Sequence, residues 1–150
     1  MADQFLVVIP ADPSAPLPPK AEALRDALAR LAGTDEARIK DYGKLQFIDA
    51  GQNAASIHCP SCNAPIETTL WHDWMQTDWH GADGFHLHKH TTPCCGTSVS
   101  LNELVYRAPQ GFARWMISAR DNGHGPLTPD ERVSIETLGE LKLTAIAQRY

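Results

Sequence analysis

Cys59-Pro60-Ser61-Cys62-Asn63 and Thr92-Pro93-Cys94-Cys95-Gly96 together hold all four cysteines of the chain. Two tight turns that each present thiols are what a tetrahedral Zn²⁺ site requires when it clamps two distant segments. In a Cys-Pro-x-Cys turn, backbone N–H groups point at the sulfurs. The residue after the second cysteine takes a left-handed backbone, which Gly adopts freely and Asn tolerates. Asn63 and Gly96 occupy those places. Overlaying the two runs puts Thr92 where the first thiol stands, so the second run reads as a variant of the first. Between Cys62 and Cys94 there is room for a helix and a strand, as in a zinc ribbon carrying an insertion.

The expected ligands are Cys59, Cys62, Cys94 and Cys95. Adjacent residues on a strand point to opposite faces, so Cys94 and Cys95 converge only in a tight turn; otherwise His90 replaces Cys94. His58 directly precedes the first turn. Phe85 to Thr91 alternates as a strand, which places His86, His88 and His90 on one face. Each histidine alone reads as a solvated or hydrogen-bonded strand residue, and a second metal site on that face is the lesser reading. Four thiolates close the coordination sphere, so the expected zinc is structural. Neither an H-E-x-x-H motif nor the H-x-E signature of zinc deaminases is present.

Outward from the clusters, the pattern predicts an N-terminal β-α-β unit over about 1–50. Phe5-Leu6-Val7-Val8-Ile9 is a buried strand. Pro10 to Pro19 contains five prolines and forms an extended connector. Lys20 to Leu31 is a helix with Leu24, Leu28 and Leu31 at i, i+4, i+7 and Gly33 as its stop. Arg38 to Lys40 is a short strand and Leu45 to Asp49 a better one. The zinc-ribbon-like region covers about 56–106: a strand at Ser56-Ile57-His58, a helix from Pro65 to Trp79, then the Phe85–Thr91 strand. Ile66, Leu70, Trp74 and Met75 form one helix face that Trp71 and Trp79 widen, and core packing is the reading for these tryptophans. Asp73, Asp78 and Asp83 read as the solvated face and C-terminal end of that helix. A strand-helix-strand unit fills about 111–150: a strand over Phe112–Arg120, a helix over Pro129–Leu138 capped by Thr128-Pro129-Asp130-Glu131, and a strand from Leu141 to Tyr150. The expected fold is a single α+β domain over 1–150. Its mixed or antiparallel sheet carries two or three helices and an embedded zinc-ribbon-like element.

The chain has 150 residues, 43% of them hydrophobic and 21% charged, with a formal charge of −5 and a pI near 5.7. That composition supports a core and argues against general disorder. A net negative chain has no long-range attraction to nucleic acid or anionic membrane. The first residues, Met1-Ala2-Asp3-Gln4-Phe5, lack the basic start and long apolar run of a secretion signal, and no stretch reaches the length of a membrane span. The reading is a cytoplasmic protein with no membrane partner. In a reducing compartment, clustered cysteines point to metal or redox chemistry before structural disulfides.

Other groupings carry less. Ser100, His124 and Asp130 can be written as a hydrolase triad, but no G-x-S-x-G elbow accompanies them. Arg107, Arg114 and Arg120 read as ordinary surface charge. The runs Thr92-Pro93-Cys94-Cys95-Gly96, Ser100-Leu101-Asn102-Glu103-Leu104 and Gly111-Phe112-Ala113-Arg114, preceded by the CPxC element, resemble a group of uncharacterised bacterial proteins over about 45–120. The resemblance implies that Cys59 and Cys62 pair with the second cluster at a metal, and it implies no activity.

Three functions follow in order. The first is a non-catalytic, zinc-binding protein-interaction module with another protein as partner. A bacterial immunity protein that neutralises a basic, nuclease-type toxin is its specific form, because such proteins are small, acidic and without catalytic motifs. The second is a nucleic-acid-associated zinc-ribbon regulator, disfavoured because Lys89 is the one basic residue near the clusters. The third is a thioredoxin-like redox protein using Cys59-Pro60-Ser61-Cys62, disfavoured because Asn63-Ala64-Pro65 separates the thiols from the following helix, whose dipole a redox cysteine needs.

Overall fold

A computed structural model describes residues 3–150; Met1 and Ala2, on which the reading of the first residues also rests, lie outside the described residues. The apolar run near the N-terminus forms β1 (Gln4–Pro10), and its residues from Leu6 to Ile9 are fully buried. The proline-rich connector is not extended throughout: it opens with a turn in which the Ala15 N–H donates to the Asp12 carbonyl at 3.1 Å, and the indole Nε1–H of Trp115 donates to the Ala15 carbonyl at 3.1 Å. Helix α1 (Ala21–Ala32) ends at Gly33, whose φ of 72° is left-handed and whose N–H bonds the carbonyls of Ala29 and Arg30.

The two expected strands after this helix are one, β2 (Ala37–Ile48), interrupted by a register shift between Asp41 and Gln46. The extra residues bulge outward, and the Gly43 carbonyl accepts from the Arg114 guanidinium at 2.7 Å. The main sheet is completed by β7 (Gly111–Arg120) and β8 (Leu143–Arg149), on either side of α3 (Pro129–Gly139). The predicted capping box of α3 forms: Thr128 Oγ1 accepts from the Glu131 N–H at 3.2 Å, and a Glu131 carboxylate oxygen accepts from the Thr128 N–H at 2.9 Å.

The strand order is β2-β7-β1-β8 and every neighbouring pair is antiparallel. The β-α-β unit is therefore split, because β7 lies between β1 and β2. The second unit interlocks with it, since β1 lies between β7 and β8. This is the ferredoxin-like β-α-β-β-α-β order. Leu24 and Leu28 of α1 and Ile135 of α3 share one core with Leu6, Val8, Trp115 and Ile117, so both helices cover the same sheet face. Across the opposite face, Val7, Ile9, Met116 and Ile146 pack with Ile48 and Ala50, where the chain leaves β2. Gly51 pairs with Arg149, and Asn53 Nδ2 donates to the Ala147 carbonyl at 2.9 Å, so this segment crosses to the β8 edge.

The cysteine region is an excursion between β2 and β7. It contains β3 (Ser56–His58), α2 (Thr68–Asp78), β4 (His90–Thr91), β5 (Ser98–Val99) and β6 (Val105–Arg107), with pairings β3-β6 and β4-β5. Helix α2 starts later than Pro65 because Pro65 pairs across to His58 as an extended residue. The predicted Phe85–Thr91 strand reduces to His90–Thr91, because residues 86–88 turn around the Asp78 carboxylate instead of pairing with a strand. The excursion has its own core of Ile66, Trp74, Phe85, Val99, Leu101 and Leu104, and Phe112 of the sheet completes it. Phe47 lies 5.5 Å from Trp71 and 5.1 Å from Phe112 between ring centroids, which joins this core to the sheet.

Candidate metal centre

The two cysteine turns have the same backbone hydrogen bonds. In the first, the Cys59 carbonyl accepts from the Asn63 N–H, and the Cys59 N–H donates to Ala64, both at 2.9 Å. In the second, the Thr92 carbonyl accepts from the Gly96 N–H, and the Thr92 N–H donates to Thr97, both at 2.9 Å. Asn63 at φ 62° and Gly96 at φ 70° are both left-handed, as the residue types require. The overlay of Thr92 on Cys59 is thus a matter of equivalent hydrogen bonds, and both residues are buried at 1% exposure. Strand β3 delivers the first turn and β4–β5 brackets the second.

All four sulfurs lie within 4.8 Å of one another. Cys59 is 3.7 Å from Cys95, Cys62 is 3.3 Å from Cys94, and Cys94 is 4.0 Å from Cys95. Sulfurs bound at about 2.3 Å to a single tetrahedral ion stand about 3.8 Å apart, so the spacing fits a metal ion at the centre. The cysteines are free thiols. Cys94 and Cys95 converge because they sit inside the turn, not on a strand. Cys94 takes the place that Ser61 has in the first turn, and Thr92 leaves the first ligand place to a hydroxyl that bonds the Thr97 N–H at 3.1 Å and meets Cys95 Sγ at 3.5 Å.

The electrostatics are uneven. Hydrogen bonds from Thr92 and Thr97 bring the Cys95 thiol down to about 5. The backbone N–H of Cys62 lowers Cys59. The Ala64 N–H also favours ionisation of Cys62, but the Cys94 thiol, burial and the other sulfurs outweigh it and push Cys62 up to about 12. Neighbouring thiolates resist simultaneous ionisation, and a divalent cation among them removes that resistance.

His90, the alternative to Cys94, is not part of the sulfur cluster. Its ring stacks on Trp74 at 4.8 Å and 17°, with Nε2 buried and without a hydrogen-bond partner. Burial lowers its pKa. His58 is also engaged elsewhere, bonding Ser56 at 2.8 Å and the Asn63 carbonyl at 3.0 Å. The expected His86/His88/His90 face does not form. His86 and His88 are grouped instead with His80, because residues 86–88 wrap round Asp78 while His90 turns to Trp74.

Sequence reasoning misplaced Asp78, which is fully buried. Its position four residues after Trp74 on the apolar face of α2 is the signal that marks it. Trp79, expected in the core, is 40% exposed, and the Lys44 ammonium lies 5.2 Å above its ring. The triad written from sequence is not assembled: the Ser100 hydroxyl donates to Asn102 and Glu103, and His124 bonds Glu131 at 2.7 Å. The three arginines are separated onto Asn63, Gly43 and Asp3. Helix α2 starts six residues after Cys62, so its N-terminal dipole is not at the thiols.

Fold and site together define an α+β domain of ferredoxin-like strand order with an inserted four-cysteine unit able to hold a metal ion. Comparison with protein-family models, curated proteins and solved structures finds no match to this chain. Among the described residues, no helix is long and apolar enough to cross a membrane.

Proposed function

We propose that Cys59, Cys62, Cys94 and Cys95 hold a structural Zn²⁺ and that the protein is a non-catalytic, protein-binding module. The observation that carries the metal reading is the grouping of four sulfurs within 4.8 Å of one another on two matched turns, with three pairs at 3.3–4.0 Å. Four thiolates suit Zn²⁺ and leave it no position for an activated water. The ion would tie the chain near residue 60 to the chain near residue 95 and so contribute to folding.

Two features support protein binding. The net charge of −5 suits a basic partner. Tyr42 and Tyr150, exposed at 37% and 48%, line a cleft of about 320 Å³ on the sheet together with Phe5, Met116, Arg38, Lys40 and Asp49; Tyr, Phe and Met are enriched where proteins meet, and the attraction to a basic partner comes from the chain's overall charge, not from this cleft. The specific form is an immunity protein that neutralises a basic, nuclease-type toxin.

Metal analysis of the purified chain tests the site. Cys94→Ser and Cys95→Ser each lose one equivalent of zinc relative to the wild type, while His90→Ala keeps it. A silent Cys94→Ser would refute four-thiolate ligation. For the partner, capture from the cells that make the protein, followed by a salt gradient, should yield a basic protein released as ionic strength rises. Thiol–disulfide exchange activity, or a salt-dependent shift with DNA or RNA, would replace this reading with the redox or the nucleic-acid one.

A further inference from the structure

His80, His86 and His88 form a second group of metal-ligating side chains, each offering a ring nitrogen within 4.8 Å of the others. They come from two places, His80 just past the C-terminal end of α2 and the other two from the loop before β4. What brings them together is buried. The Asp78 carboxylate, fully buried, accepts the backbone N–H groups of His86 at 3.1 Å, Leu87 at 2.8 Å and His88 at 2.7 Å. Three backbone donors on one carboxylate clamp the loop at three consecutive residues. This clamp holds Leu87 at φ 57°, a left-handed conformation that is unfavourable for a bulky residue, and non-glycine residues held this way cluster at ligand sites. Gly84 docks the same loop on β2: Leu45 pairs with Gly84, and the Phe85 N–H donates to the Leu45 carbonyl at 3.1 Å.

His80 is further prepared. Its Nδ1–H donates to the Asp78 carbonyl at 2.8 Å. That bond fixes the tautomer and leaves Nε2 with a free lone pair, the arrangement in which metal-bound histidines are found. The His80 and His86 rings are stacked at 3.7 Å and 3°, and His88 meets them edge-on at 5.3 and 5.5 Å. All three are exposed, and while His80 stays on the Asp78 carbonyl, the His86 and His88 rings can rotate and turn their lone pairs toward its Nε2. Nitrogens bound at about 2.0–2.1 Å to one tetrahedral ion stand about 3.3 Å apart, and rotation of exposed rings supplies that contraction without moving the clamped backbone.

We propose that His80, His86 and His88 are a second metal site, distinct from the thiol cluster, that takes a late first-row divalent ion such as Zn²⁺. Imidazole suits Zn²⁺, Co²⁺, Ni²⁺ and Cu²⁺. Three protein ligands leave at least one coordination position open, unlike the closed four-sulfur site, so this ion can bind water or a small anion.

Titration of the full chain with Co²⁺ tests the assignment. The wild type binds two equivalents. One produces the intense thiolate-to-cobalt charge-transfer absorption, and the other adds only weak ligand-field bands. The double variant His86→Ala/His88→Ala binds one equivalent with charge transfer unchanged, and its circular dichroism matches wild type because both rings are exposed. In a parallel Zn²⁺ titration followed by imidazole ¹H–¹⁵N spectra, the second equivalent shifts His80, His86 and His88, and leaves His58, His72, His90 and His124 in place. Saturation of the wild type at one equivalent, two equivalents retained by the double variant, or shifts at the other histidines would each overturn the proposal.

Discussion

At the scale of single residues, the decisive groups are side chains that organise backbone. Asp78 holds three consecutive N–H groups from a buried position. Asp78→Asn keeps the shape but presents an amide donor to backbone N–H groups. Denaturant unfolding should show a loss of at least about 1–3 kcal/mol, the cost of leaving a buried N–H donor unsatisfied. Affinity for the second Co²⁺ should fall on the order of 10-fold or more, with thiolate charge transfer unchanged. The pair His124–Glu131 makes a pH prediction. The Gly125 carbonyl and the Glu131 carboxylate raise His124 above 6.5, so its contribution is complete below 6.5 and disappears as pH rises through the raised value. The Thr128 backbone and His124 lower Glu131 below 4.5, so its contribution is present above 4.5 and is lost as pH falls through the lowered value. The pair therefore contributes most between 4.5 and 6.5. In Glu131→Gln, an NMR titration should place His124 closer to 6.5 than in wild type.

Between elements, the docking of the loop before β4 on β2 depends on one residue without a side chain. A Cβ on Gly84 would sit 2.5 Å from the Leu45 carbonyl oxygen, and its φ of 72° is itself left-handed. Gly84→Ala should separate the two backbones at a cost of about 1–3 kcal/mol, the usual scale of such strain. Hydrogen exchange should then quicken at Phe85, whose N–H donates to Leu45, while β1 and β8 stay protected. The helices were legible in the sequence because leucine spacing, Gly33 and the Thr128 box are local signals that the structure uses in place. The pairing of β2 was not. Its bulge answers a guanidinium more than 70 positions away, and no local pattern announces such a partner.

For the whole molecule, the sheet packs a core on each face, and the excursion builds a third to which the strand residues Phe47 and Phe112 contribute. The helix-covered core of the sheet contains no cysteine, whereas Cys59 is part of the core of the excursion. Structural zinc in zinc-finger peptides binds with about 10–16 kcal/mol of apparent free energy. With zinc on the four cysteines, as proposed, chelation at neutral pH should loosen the excursion before the sheet. Hydrogen exchange after chelator treatment should rise in residues 56–67, in α2 and in residues 90–99, and change little in α1, β1 and β8. Equal loss of protection everywhere would show that the excursion and the sheet unfold as a unit.

The sequence by itself determined the pairing of two thiol-bearing turns, the left-handed places of Asn63 and Gly96, the correspondence of Thr92 with Cys59, the extents of α1 and α3 to within a residue, and the α+β class. These are read within a few residues of chain, where backbone conformation and side-chain type constrain each other directly. Only the tertiary structure decided the split strand order, the exchange of His90 for His80 beside His86 and His88, and the burial of Asp78. Each of these depends on segments far apart in the chain competing for the same space. The Trp74 face claimed His90, the buried carboxylate claimed the N–H groups of residues 86–88, and β7 closed between two strands that are consecutive in sequence.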